Sequence, residues 1–206
     1  MLTPSAEKNT GRIEFFSDGV FAIAMTLLVL AIRVPAVSNL GEEGLGFALL
    51  GLWPHYLAFV TAFTTILAMW VNHHRIFTFV QKTDHYLLYW NGLLLLLITF
   101  LPFPTALLAE HLPHTEGKLA GAVFAGTLVA IALTFKGLWR YAARNNRLLV
   151  KEIDARDIEQ ITRQHRYGPI LYLMAFAIAF LSAGMSAALC LCLGVFIGFK
   201  GWPTRD

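Results

Sequence analysis

Long apolar runs dominate this chain, and short polar breaks divide them. From Val20 to Ile32 no residue is charged, and Thr26 carries the one hydroxyl. Runs near 20 residues match the length of helix that crosses a bilayer. The pattern predicts helices at approximately 15–34, 47–71, 86–109, 118–139, 167–183 and 185–200. Pro35 closes the first. Pro54 predicts a kink near the outer end of the second, and Pro102 and Pro104 one in the third, because each proline frees a carbonyl. Gly168-Pro169 predicts the start of the fifth, since proline costs little in a first turn. Ser182-Ala183-Gly184 predicts a tight turn between the last two. The expected fold is all-α: one polytopic unit over 1–206, six transmembrane helices, and a polar linker at 140–166.

Composition agrees with that picture. Hydrophobic residues make up 57% of the chain and charged residues 14%, against about a quarter charged in an ordinary soluble domain. Charge then sets the orientation. With the N-terminus inside, every Lys and Arg of the sixteen falls on the cytoplasmic side except Arg33 and Lys118. The positive-inside rule therefore places both termini in the cytoplasm. The basic balance reads as a topology signal and not as a nucleic-acid footprint. Lys8 and Arg12 with Val34-Pro35-Ala36 imitate a signal peptide, but Asp18 ahead of the apolar run predicts a retained helix. Arg140, Arg144, Arg147 and Lys151 follow helical spacing and predict an amphipathic helix along the inner leaflet, drawn to anionic lipid. Glu42 and Glu43 read as loop charges near the outer mouth. Cys190 and Cys192 point to nearly opposite sides of a helix, so they do not pair with each other.

The candidate chemistry lies at the inner end of the first helix. Ionisable groups inside a membrane are expensive and face other helices or a water path. Asp18 is such a group. Arg12 lies six residues earlier, on a different side of the helix, so each needs a partner elsewhere. The end of the second span offers Trp70, His73 and His74 at matching depth, sharing a face by their i, i+3, i+4 spacing. Arg12, Ser17, Asp18 and these residues read either as a polar brace or as an interfacial cluster of snorkelling side chains. The histidines also raise a proton relay. Adjacent histidines make a poor metal site, and no nucleotide loop, nucleophile elbow or HExxH motif is present.

Ile23, Leu27 and Leu30 form a bulky stripe beside the small residues Gly19, Ala22 and Thr26. Such a stripe is ordinary packing or lipid contact, or, repeated about a symmetry axis, a hydrophobic constriction. The small neighbours suit close helix packing. Ala175, Ala179 and Ala183, and the pair Gly194 and Gly198, carry small-residue packing patterns of the same kind.

The string Arg12-x-x-x-Phe16-Ser17-Asp18-Gly19, followed by Ala22-Ile23-Ala24-x-Thr26-Leu27-Leu28 and Pro35, resembles the signature of the lysosomal potassium-channel family called transmembrane protein 175, in its prokaryotic single-repeat form. Trp70-x-x-His73-His74-Arg75 extends the resemblance. It implies a six-helix subunit, a homotetramer, and a central pore lined by the first helix. Ile23 would be the constriction, with Leu27 and Leu30 further out. The family lacks the TVGYG carbonyl filter, and so does this chain, so potassium-over-sodium selectivity is expected to be modest. The expected function is a potassium or monovalent-cation channel of a bacterial inner membrane. Its partners would be copies of itself, the bilayer and the permeant ion, with no cofactor. The rival readings are a proton-permeable channel using Asp18, His73 and His74, and an intramembrane enzyme on the same residues, which lacks a nucleophile or a metal set.

Overall fold

A computed structural model describes residues 7–36, 44–150 and 153–200, with side chains from 10 to 198 of these. Glu42, Glu43 and Lys151 lie outside the described residues. The chain is helical: α1 (Glu7–Leu27), running on as a 3-10 turn over Leu28–Ala31, α2 (Gly44–Gly51), α3 (Trp53–Phe79), α4 (His85–Phe100), α5 (Pro102–His111), α6 (Gly117–Ala142), α7 (Ala155–Ala179) and α8 (Ala183–Lys200). The stretches Thr10–Ala31, Trp53–Phe79, His85–His111 and Gly117–Ala142 are long and apolar enough to cross a membrane, and Ala183–Gly198 is a shorter apolar helix.

The prolines act as punctuation, in two places as expected. Pro54 sits in the first turn of α3, just past the break that ends α2. Pro102 opens α5 after the break at Leu101. The third differs from expectation. Pro169 lies inside α7, which starts at Ala155 and is capped by Asp154 Oδ1 accepting from the Arg156 N–H at 3.0 Å. The polar segment before Gly168 has its own cap and good helix formers, so the helix begins well before the apolar run. Between α7 and α8, Ser182 Oγ accepts from the Met185 N–H at 3.3 Å and caps the start of α8.

α6 is the centre of the subunit. It packs along α7 and against α4, α5 and α8, while α3 packs along α8 and α5. Phe124, Leu128, Ile131, Phe135, Leu138 and Trp139 put most of its bulk in the core. The small-residue patterns are used inside the chain. A Cβ on Gly194 would meet Thr65 Oγ1 at 3.0 Å, and one on Gly198 would meet the Ala68 Cβ at 3.5 Å. Glycine there lets α8 lie close on α3. Ala175, Ala179 and Ala183 are buried, the last two beside Gly121 of α6. Cys190 is buried and Cys192 exposed, on opposite sides of α8.

The expected amphipathic helix does not run through Arg140, Arg144 and Arg147. α6 stops at Ala142, and Asn145 and Asn146 take left-handed φ of 57° and 53°. Asparagine tolerates that region better than most residues. The chain then turns back and pairs Leu149 with Val80 in an antiparallel bridge. The N–H groups of Gln81 and Lys82 donate to the Leu148 carbonyl, and the Val150 N–H to that of Phe79. Asp84 locks this junction. It caps α4 through the Leu87 N–H at 2.9 Å and accepts from Tyr141 Oη at 2.7 Å and Arg147 at 2.9 Å. Burial alone would raise the Asp84 carboxyl, but these donors hold it below the usual range.

Candidate functional site

α1 presents two contrasting faces. Ser17, Phe21, Ala24 and Leu28, at helical spacing, are sealed against α3, α4 and α5. The other side stands open within the subunit. Ile23 is 60% exposed, Leu27 40% and Leu30 73%, and Phe16, Gly19, Ala22 and Thr26 are exposed with them. Of the apolar helices long enough to cross a membrane, this one is the least buried. The small residues Gly19, Ala22 and Thr26 therefore do not pack on this chain's own helices, and they share the open sector with the bulky stripe. Thr26 turns its hydroxyl back to its own helix, donating to the Ile23 carbonyl at 2.8 Å. From Gly19 to Leu30, what the sector offers outward is almost purely aliphatic.

The polar residues at the base of α1 reach two separate partners. Trp70 Nε1 donates to Asp18 Oδ1 at 2.8 Å. One turn further along α3, His73 is fully buried, stacked on Phe77 with ring centroids 4.4 Å apart and tilted against Phe21 at 5.4 Å. Its Nε2 meets Asn91 Oδ1 at 2.9 Å, and Asn91 Nδ2 donates to Ser17 Oγ at 3.0 Å. With the amide turned that way, His73 Nε2 is the donor. The chain His73–Asn91–Ser17 thus ties α3, α4 and α1 together at one level.

Other sequence candidates fall outside this brace. Arg12 is exposed on the open side of α1, and among the described residues it makes no ion pair with Asp18. His74 is exposed and stacks on the Trp70 indole. Adjacent positions on a helix diverge by about 100°, so the two histidines look into different surroundings. At the opposite end of the molecule, His55 and Arg33 approach Glu110 at 3.8 and 3.7 Å.

Three hydrogen-bonded polar residues were not singled out from the sequence. Asn91 links the brace. Asn72, buried on another side of α3, donates to the Ala68 carbonyl and accepts from Gln164 of α7 at 2.6 Å. Gln164 in turn accepts from Arg75 at 3.3 Å. Asn91 stands at the head of a leucine-rich run, where a polar amide is costly unless bonded. The argument that singled out Asp18 applies equally to Asn91 and Asn72.

The family described as "Endosomal/lysosomal potassium channel TMEM175" matches residues 12–102. That stretch holds every residue of the brace. A potassium channel from Chamaesiphon minutus is 52% identical over 97% of this chain and 98% of its own length. The chain belongs to the TMEM175 family. A potassium channel from Streptomyces collinus is 40% identical over 96% of each chain. The fold agrees with the crystal structure of a lysosomal potassium-selective channel TMEM175 homolog from Chamaesiphon minutus. The TM-score is 0.87 at 51% identity, over 95% of this chain and all of that one. Both named relatives are channels, not enzymes, so the intramembrane-enzyme reading of Asp18 and the histidines is set aside.

Proposed function

We propose that this chain is one subunit of a potassium channel in a bacterial inner membrane. Four copies would surround a central pore, each with six spans and with both termini on the cytoplasmic side. Ile23 would form the narrowest point, with Leu27 and Leu30 lining the wall towards the outside. The observation that carries this reading is the open aliphatic sector of α1, on a helix whose opposite face is fully sealed. One subunit encloses no such path by itself, and symmetric copies arranged about α1 would. The relatives named as potassium channels support the choice of ion, and the concentration of Lys and Arg at one end supports the orientation.

A ring of isoleucines holds no ion and disfavours water, so it would act as a hydrophobic gate. No carbonyl cage replaces the ion's hydration shell here, and the Thr26 hydroxyl is turned to its own backbone. Discrimination between potassium and sodium would then rest on the width of the pore and would be modest. A proton relay through both histidines gains little support, because His73 is buried with Asn91 while His74 faces outward.

The test is flux through purified protein in liposomes under separate potassium, sodium and proton gradients. The expected outcome is a reversal potential that follows potassium, with measurable sodium permeability. A reversal potential that follows pH alone overturns the reading in favour of a proton channel, and absence of any current overturns it altogether.

A further inference from the structure

The basic end of the molecule carries a groove of about 1130 Å³ between the last turns of α6 and the first half of α7. Lys136 and Arg140 from α6, Arg144 from the turn that follows it and Arg166 from α7 converge on it. All four are exposed, and among the described residues none of them makes an ion pair. No carboxylate lines the groove. Asp84, bonded to the lining Tyr141, is itself paired with Arg147. Four unpaired cations drawn from α6, the turn after it and α7 into one concavity form a site for an anion.

The walls and the approach narrow the class of anion. Trp90 lies across α6 at Gly137, where any Cβ would run into its indole. The half-buried Trp90 and Tyr141 give the groove an aromatic rim, of the kind that settles at the headgroup level of a bilayer, over a floor formed by the buried Trp139. On α6 the cationic stripe continues backwards, at helical spacing, into exposed Leu133. On α7 the stripe from Arg166 continues into exposed Ile170 and Leu173. An anionic head set in the groove thus has an apolar track leading away from it on both helices.

We propose that the groove binds the phosphate headgroup of an anionic phospholipid, its acyl chains lying along Leu133, Ile170 and Leu173. The proposal rests on the orientation given above, which puts the groove in the inner leaflet. It is tested by binding in detergent solution, which needs neither a particular orientation nor ion conduction, so it can fail while the channel reading stands.

The measurement is native mass spectrometry of the purified full chain titrated with dioleoylphosphatidylglycerol, dioleoylphosphatidylcholine or inorganic phosphate. The expected result is retention of phosphatidylglycerol in preference to phosphatidylcholine, weakened at least about tenfold in R140Q/R166Q. R156Q/R163Q, with the same change of charge outside the groove, should keep wild-type affinity. K136Q/R144Q gives a second reading should the first variant fail to fold. Equal weakening by the groove and control pairs would mean a diffuse surface field and overturn the site. So would equal retention of both lipids, or inorganic phosphate competing as well as the lipid does.

Discussion

The Trp70 indole donates to Asp18 across the α1–α3 contact at 2.8 Å, which makes a tryptophan, and not an arginine, the hydrogen-bond partner of this carboxylate. The bond fixes where the Asp18 side chain points. It sits just over one turn below Ile23, on the helix that carries the open face. It therefore sets the rotation of the helix that carries Ile23, Leu27 and Leu30.

Trp70→Phe should remove that restraint while keeping most of the packing. Loss of a hydrogen bond to a charged group costs about 1.5–3 kcal/mol, so a lower melting temperature in detergent is expected. Asp18→Asn retains an acceptor for the indole and should be milder. If both variants melt as the wild type does, the bond has no structural weight.

Asn91 is the joint between two buried groups. Asn91→Leu leaves His73 and Ser17 without partners, and each orphaned group costs about 1–3 kcal/mol. Adding His73→Phe removes one of the two orphans, so the double variant should be more stable than the sum of the single effects. Strict additivity of the melting shifts would mean the His73–Asn91 contact is not an energetic unit.

For the proposed gate, Ile23→Ala should raise potassium leak through liposomes, and Leu27→Ala should do so more weakly. Ile23→Asn should also narrow the difference between potassium and sodium flux, because a polar ring wets the constriction. Thr26→Val should change little, since that hydroxyl is already held by the Ile23 carbonyl. Large effects at Thr26 with none at Ile23 would place the pore wall on the wrong edge of the open sector.

The Asp84 junction gives a pH dependence with a definite sign. Desolvation opposes its charged form, yet Tyr141, the Leu87 N–H and Arg147 together hold the folded carboxyl below its ordinary 3.8. Its contribution to stability is thus fully present above that value and is lost as the pH falls through the lower folded one. Asp84→Asn keeps a cap for α4 but carries no charge, so the acid limb of its melting profile should be flatter than that of the wild type. Asp84→Ala should lose about 1 kcal/mol more through the cap alone. An unchanged acid limb in Asp84→Asn would assign that limb to other carboxylates.

Much of this molecule could be read from the order of its residues, because membrane helices are set by local quantities. The length of an apolar run, a proline at its end and the bias of Lys and Arg are all properties of neighbouring positions. The small set of residues around Asp18, with Trp70 and His73 among its candidate partners, was legible for the same reason: a charge in an apolar run must find something.

Spacing along one helix says which side chains share a face, but not how the next helix is rotated against it. The fold alone decided that Asp18 takes Trp70, that His73 turns to Asn91, and that Arg12 and His74 stay outside. It also decided that the small face of α1 stands open beside the bulky one. Around Arg140–Arg147 the spacing pointed to a helix. There Asn145 and Asn146 adopt left-handed backbone, and the bridge from Leu149 to Val80 satisfies the freed groups. That bridge joins segments far apart in the chain, so its bonds enter the balance only once the fold has brought the end of α3 beside the segment that follows α6.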